Sequence, residues 1–322
     1  MKVDLKYIKL LSTIGPRASL GLFLLDLVKK NKNLMVVTSD VSTSAGLDRF
    51  RKLYSQNYID VGIAEQNLIG VSAGLASEGF NVLCTTFAPF QTLRCCEQIK
   101  VNLGYMKQKV TMVGLASGLV LGNLGYTHCS IEEMAIMRSI PNITVISPAD
   151  SLETIKAVES SLKHKNSVYI RLTGSNNNPI IYDKDYKFKI GKCIQLQDGK
   201  DIAIFACGSI LNEVLNAAKI LEKKGISTSV INVHTIKPID KKYIIEKIRK
   251  KKLIVSVEEH NILGGLGSSI AECLADHHNV PKHIMIGIND KYSNGGSYSY
   301  LLNHYGLTSK KISNKILKNF LL

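Results

Sequence analysis

The sequence predicts an α/β fold with two domains, each a mostly parallel sheet flanked by helices. Three observations predict it. The chain has 322 residues, enough to build two ordinary cores. Short β-branched runs alternate with amphipathic or apolar helical patterns, as strands joined by crossover helices do. A polar, Asn-rich stretch at 173–189, containing Pro179, separates two such blocks and reads as a linker. The domains accordingly run over 1–175 and 191–322, with the linker at 176–190.

In the first block, strands are predicted at 34–38, 58–63, 81–86, 110–115, 144–147 and 168–172. Helices are predicted at 17–30, 65–78, 92–104, 131–139 and 151–163. Gly70, Gly74 and Gly79 lie within or just after the second of these helices. Glycine costs helix stability, so that helix is expected to pack closely against another backbone. In the second block, strands are predicted at 202–207, 229–233, 253–257 and 283–286, and helices at 209–224, 241–250, 268–277 and 297–305. A last, basic helix starts at Thr308 or Ser309 and runs to Phe320. Asp198-Gly199-Lys200-Asp201 reads as a hairpin-like turn. Gly264-Gly265-Leu266-Gly267 lacks the spacing of the phosphate-binding glycine motifs and predicts a tight turn into a helix.

Hydrophobic residues make up 45% and charged residues 21%, the balance of a soluble globular chain. No run reads as apolar enough to span a bilayer: 21–28 is short and interrupted by Asp26. The first residues carry an acid and no cleavage pattern, so no signal peptide is expected and the cytoplasm is the expected compartment. The seven cysteines are odd in number and form no Cys-x-x-Cys, which argues against a disulfide framework or a zinc site. Cys129 beside His128 reads as a core thiol rather than half of a catalytic pair. Net charge is +15, but the lysines are spread over helix surfaces and no nucleic-acid motif accompanies them. No nucleic-acid partner is expected; the charge would favour anionic, phosphorylated substrates.

The most informative segment is Asp60-Val61-Gly62-Ile63-Ala64-Glu65-Gln66-Asn67, where a strand ends and Glu65 opens a helix. An acid there ordinarily complements the helix dipole. The next strand runs into Phe87-Ala88-Pro89-Phe90, however, and an acid with aromatic faces beside it suits a flat, nitrogen-containing ring. Further along stand Glu97-Gln98-Ile99, Gly125-Tyr126-Thr127-His128-x-x-Ile131-Glu132, the run from Ile140-Pro141-Asn142 through Ser147-Pro148-Ala149-Asp150, and Val257-Glu258-Glu259-His260.

In this order and spacing, these motifs resemble the C-terminal half of a transketolase: the pyrimidine-binding domain followed by the transketolase C-terminal domain, over nearly the whole chain. The resemblance implies thiamine diphosphate as cofactor. It implies that Glu65 hydrogen-bonds the coenzyme's pyrimidine ring nitrogen, and that Phe87 and Phe90 pack on that ring. It makes His128 the histidine facing the substrate carbonyl and hydroxyls, suited to proton transfer near neutral pH. Arg171 matches a phosphate-binding arginine, and Arg17 and Ser44 match two further contacts to the substrate phosphate. Asp40 falls near the subunit interface of such enzymes with no role assigned.

Two positions depart from the family pattern. Leu124 stands where an acid usually reads a sugar hydroxyl, and Ala116 where another histidine usually stands. The sugar used is therefore expected to differ from the ordinary pentose phosphates. The Gly-Asp-Gly motif that holds Mg²⁺ and the coenzyme diphosphate does not occur in the sequence, and no metal ligands are assigned to this chain. The resemblance thus implies a separate N-terminal, diphosphate-binding subunit, an α2β2 heterotetramer, and ketol transfer from a ketose to an aldose, as sugar phosphates. The alternatives are a beta subunit of a 2-oxoacid dehydrogenase, an enzyme like deoxyxylulose-phosphate synthase, or a non-catalytic paralogue.

Overall fold

The structure, a computed structural model, describes residues 3–321. Among the described residues, twelve strands form two sheets: β1 (Leu34–Thr38), β2 (Tyr58–Asp60), β3 (Asn81–Phe87), β4 (Val110–Leu115), β5 (Thr144–Ile146), β6 (Val168–Arg171), β7 (Ile194–Gln197), β8 (Ile202–Ala206), β9 (Thr228–Asn232), β10 (Thr235–Lys237), β11 (Leu253–Asn261) and β12 (Lys282–Ile288). The first sheet has the order β10-β5-β6-β4-β3-β1-β2 and the second β12-β11-β8-β9-β7. Within the first sheet β1 to β6 pair with one another only in parallel. Their apolar runs are continuous rather than alternating because helices cover both faces; β1, β4, β5 and β6 are buried at every position.

Two strands are absent from the sequence prediction, β7 and β10. Each is antiparallel at a sheet edge, β7 on β9 and β10 on β5. Because β9 lies between β7 and β8, the turn at Asp198-Gly199 is not a hairpin. Gly199 is needed for a different reason: a Cβ there would stand 2.2 Å from the backbone carbon of Thr228. The strand β10 comes from the second block and completes the first sheet, with Ser147 N donating to His234 O at 2.8 Å. Apolar residues of both sheets, among them Val145, Tyr169, Phe205 and Ile231, share one core cluster.

The first helix, Leu5–Lys30, is longer than predicted, and by length and composition it is long and apolar enough to cross a membrane. It corrects the expectation that no such run exists. The helix is broken at Gly15-Pro16, with Gly15 at φ 78°, and it buries Leu11, Leu20, Leu24 and Val28 in the core. Pro16 cannot continue the hydrogen-bond ladder. The carbonyls of Thr13 and Ser12 are instead taken by the backbone N–H groups of Asn177 and Asn178, at 3.1 and 2.9 Å. A Cβ on Gly15 would press to 2.8 Å from Ser175 O. The linker is therefore bound to the first domain rather than loose. Asp150 adds to this: it caps the helix Ser151–Leu162 and accepts from Ile181 N and Tyr182 N.

The helix Glu65–Ser77 does not use its glycines for close packing within the chain, since nothing lies within 4 Å of a Cβ built on Gly70 or Gly74. The predicted helix at 92–104 is instead Ala88–Thr92, a short turn at Cys96–Gln98 and a π-helix, Ile99–Tyr105.

Cysteines are free and mostly buried. Burial pushes the Cys84, Cys95, Cys193 and Cys207 thiols up to about 12, and Cys129 to about 11. With dithionitrobenzoate at pH 8, the folded chain is expected to show rapid reaction of Cys96 only. All seven thiols are expected to react once urea unfolds it. Rapid reaction of Cys129 in the folded chain would contradict this.

Candidate active site

Glu65, Phe87, Phe90 and His128 all lie at or beyond the carboxyl ends of parallel strands of the first sheet. From β1 the chain passes to β2 at the edge, then returns across β1 to β3. The crevice outside such a reversal is where open α/β sheets bind ligands.

Glu65 opens its helix after β2. The turn before it is organised by Asp60, which accepts from Asp40 N (3.0 Å), Gly62 N (2.9 Å) and Thr38 Oγ1 (3.0 Å). Burial alone would raise Asp60, but these backbone N–H groups and the Thr38 and Tyr58 hydroxyls hold it below the usual carboxylate range. Ser39 Oγ accepts from Ala64 N at 3.2 Å and donates to Gly62 O at 2.6 Å. Glu65 itself is only 4% exposed. Its Oε2 accepts from Arg94 Nη1 at 2.8 Å, a partner the sequence reading missed. The guanidinium lies over the Phe90 ring, 4.3 Å from its centroid.

Phe87 ends β3 and Phe90 lies in the helix Ala88–Thr92. Their rings meet edge to face at 6.3 Å, and His128 faces both, at 6.2 Å from Phe87 and 5.2 Å from Phe90. The structure thus brings Glu65, Phe87, Phe90, Arg94 and His128 together from three segments.

His128 rides on the loop after β4, and the second domain clamps both ends of that loop. Glu259, on β11, accepts from Leu119 N at 2.7 Å, and Asn261 N donates to Ile131 O at 2.7 Å. Gly118 (φ 71°) must be glycine because a Cβ would meet Glu259 Oε1 at 2.2 Å. The tip is held by the Tyr126 hydroxyl, bonded to those of Tyr305 and Ser293. Leu124 is 57% exposed on this loop, while Ala116 is buried at its root with φ 51°.

Glu258 explains the glycine-rich turn. Both its oxygens accept backbone N–H groups at the start of the helix Leu266–Leu274: Leu266 N at 2.7 Å and Gly267 N at 2.8 Å. The helix end that would attract a phosphate holds the protein's own carboxyl, which burial pushes up to about 7.

Arg17 and Ser44 do meet, in a pocket lined also by Thr13, Thr43 and Asn176. Arg17 follows the Gly15-Pro16 break, at the start of the second helical segment. Its guanidinium is half-buried, and desolvation lowers its pKa. Among the described residues, no carboxylate lies within ion-pair distance of it.

Arg171 lies elsewhere, which corrects its reading as a phosphate ligand. Its side chain is fully buried on β6, between β4 and β5 and beneath the second domain. Nε donates to Glu133 Oε1 at 2.5 Å and Nη2 to Glu259 O at 3.1 Å. Burial would lower its pKa, but the Glu133 and Glu259 carboxylates more than offset this and keep it charged. Among the described residues its Nη1 is a buried donor without a partner.

Comparison with known proteins agrees with this geometry. The family model of the transketolase pyrimidine-binding domain matches residues 12–179, and that of the transketolase C-terminal domain matches 191–312. A transketolase C-terminal section of Methanocaldococcus jannaschii is 38% identical over 306 residues, covering 94% of this chain and 96% of that protein. One of the subunits of the apulose-4-phosphate transketolase of Phocaeicola vulgatus is 35% identical over 306 residues, covering 95% and 97%. A solved structure described as a split gene transketolase, inactive beta4 tetramer, superposes with a TM-score of 0.86 at 34% identity, covering 96% of this chain and 99% of that one. The chain therefore belongs to the transketolase family and corresponds to its C-terminal half, as in the beta subunit of a split transketolase.

Proposed function

We propose that the chain is the catalytic beta subunit of a two-subunit transketolase that moves a two-carbon ketol unit between phosphorylated sugars. The observation that carries this reading is the cluster of Phe87, Phe90 and His128, joined to the buried Glu65 through Arg94. The residues fit the pyrimidine end of thiamine diphosphate: a buried carboxylate beside flat aromatic faces suits a nitrogen-containing ring. That coenzyme supplies the nucleophilic carbon that takes up the ketol unit. Glu65 would hold the proton shared with the ring nitrogen. Phe87 and Phe90 would orient the ring and keep water from it. His128 would carry protons to and from the sugar carbonyl and hydroxyl oxygens.

The diphosphate and its Mg²⁺ would be held by a separate subunit, in an α2β2 assembly. Two features support a partner. The Gly70 and Gly74 positions are open, so another backbone can approach the helix that carries Glu65. Ile63, Tyr105 and Met106, at 77, 83 and 56% exposure, are large apolar side chains with nothing over them in the chain. A cytoplasmic location would suit such an enzyme.

The pocket of Arg17, Thr13, Thr43, Ser44 and Asn176 would take the sugar phosphate. A desolvated guanidinium at a helical N-terminus is a favourable anion site. With the partner present, Arg17→Ala is expected to raise KM for a phosphorylated aldose by roughly 10- to 100-fold, the value of a charged hydrogen bond. KM for an unphosphorylated acceptor should hardly change. Equal effects on both would refute the phosphate assignment.

A further inference from the structure

Arg94 makes three contacts that bear on Glu65. Its Nη1 holds Glu65 Oε2 at 2.8 Å, its guanidinium covers Phe90 at 4.3 Å, and its carbonyl accepts from Gln66 Nε2 at 3.3 Å. The segment after Phe90 and the helix of Glu65 are thereby tied at two points. The pair is not an ordinary surface ion pair: the Glu65 side chain is 5% exposed while that of Arg94 is 45%. A buried carboxylate needs a partner, and here the partner engages one oxygen. Among the described residues Glu65 Oε1 makes no hydrogen bond, and it is not one of the enclosed, unpartnered polar atoms. Oε1 therefore keeps some exposed surface and is free to take a hydrogen bond.

The terminal torsion of a glutamate is broad and nearly two-fold, so its packing does not by itself fix the carboxylate plane. A guanidinium placed over the Phe90 ring and bonded to Oε2 restrains that oxygen and so narrows the directions open to Oε1. We propose that Arg94 is a positioning residue of the pyrimidine site. By holding Oε2 it aims Oε1 at the ring nitrogen of an aminopyrimidine, and its guanidinium extends the wall formed by Phe90. This inference rests on the proposed function above.

The test compares two compounds in the reconstituted complex with Mg²⁺, by calorimetry. One is thiamine diphosphate; the other is its analogue with a C–H in place of the ring nitrogen that faces Glu65. The wild-type complex is expected to bind the analogue roughly 10- to 100-fold more weakly, the value of a hydrogen bond to a charged group. In Arg94→Met, which keeps an unbranched side chain without a donor, the ratio should fall to within about 3-fold. A wild-type ratio in Arg94→Met would overturn the role of Arg94. Equal binding of both compounds by the wild type would instead overturn the assignment of Glu65 to the pyrimidine. Should Arg94→Met fold poorly, Arg94→Gln, shorter and uncharged, is read in the same two ways.

Discussion

Glu65→Gln is expected to lower ketol transfer by the reconstituted complex about 100- to 10,000-fold, the usual contribution of a placed acid–base group. The substitution keeps the shape and the ability to accept from Arg94, and removes the charge and the ability to take up and give back a proton. Glu65 is buried, but its partner Arg94 is half exposed, so solvent can satisfy what the pair loses. The melting temperature should therefore change little. Steady-state turnover and thermal unfolding, measured on the same preparation, separate the two effects. Turnover within a few-fold of wild type would remove Glu65 from the mechanism.

Arg171→Ala should do the opposite. It is expected to destabilise the chain by about 3–5 kcal/mol, because it leaves the Glu133 carboxylate buried without its partner. That corresponds to a melting temperature lower by roughly 10 °C. Conversion of both residues to apolar ones, Arg171→Met with Glu133→Leu, should recover most of the loss, since an apolar pair leaves no charge unsatisfied. The cycle of single and double variants gives the coupling directly. A phosphate ligand would behave differently. Its loss would raise KM for phosphorylated substrates and leave stability intact, and that result would restore the reading of Arg171 as a substrate contact.

The contrast between these two residues shows what the sequence carried. The strands of both sheets were legible because buried parallel strands are continuous apolar runs, such as Leu34-Met35-Val36-Val37-Thr38. The two antiparallel edge strands, β7 and β10, were not. Ile194-Gln195-Leu196-Gln197 is half-buried, and Thr235-Ile236-Lys237 has three residues and pairs with a strand of the other domain. Nothing local marks such a pairing.

At the site, Glu65, Phe87 and Phe90 stood out because each sits in a motif at or just after a strand end, and His128 because it sits in a motif on the loop after β4. Arg94 was not, since its meaning comes from a contact across 29 residues. Arg171 was recognisable as an arginine at a strand end, but its burial comes from the place of β6 between two other strands and from Glu133 and Glu259 closing over it. The acids of Glu258-Glu259-His260 are similar. They read as a motif, and the structure uses them to hold a helix start and the loop of His128.

The central claim is that this chain supplies the pyrimidine half of a thiamine diphosphate site shared with another subunit. The most direct measurement is calorimetric titration of thiamine diphosphate with Mg²⁺ into the chain alone, and then into its mixture with the diphosphate-binding subunit. The account predicts tight binding in the mixture and none of comparable strength in the chain alone. Equally tight binding to the chain alone, or no binding in the mixture, would contradict it.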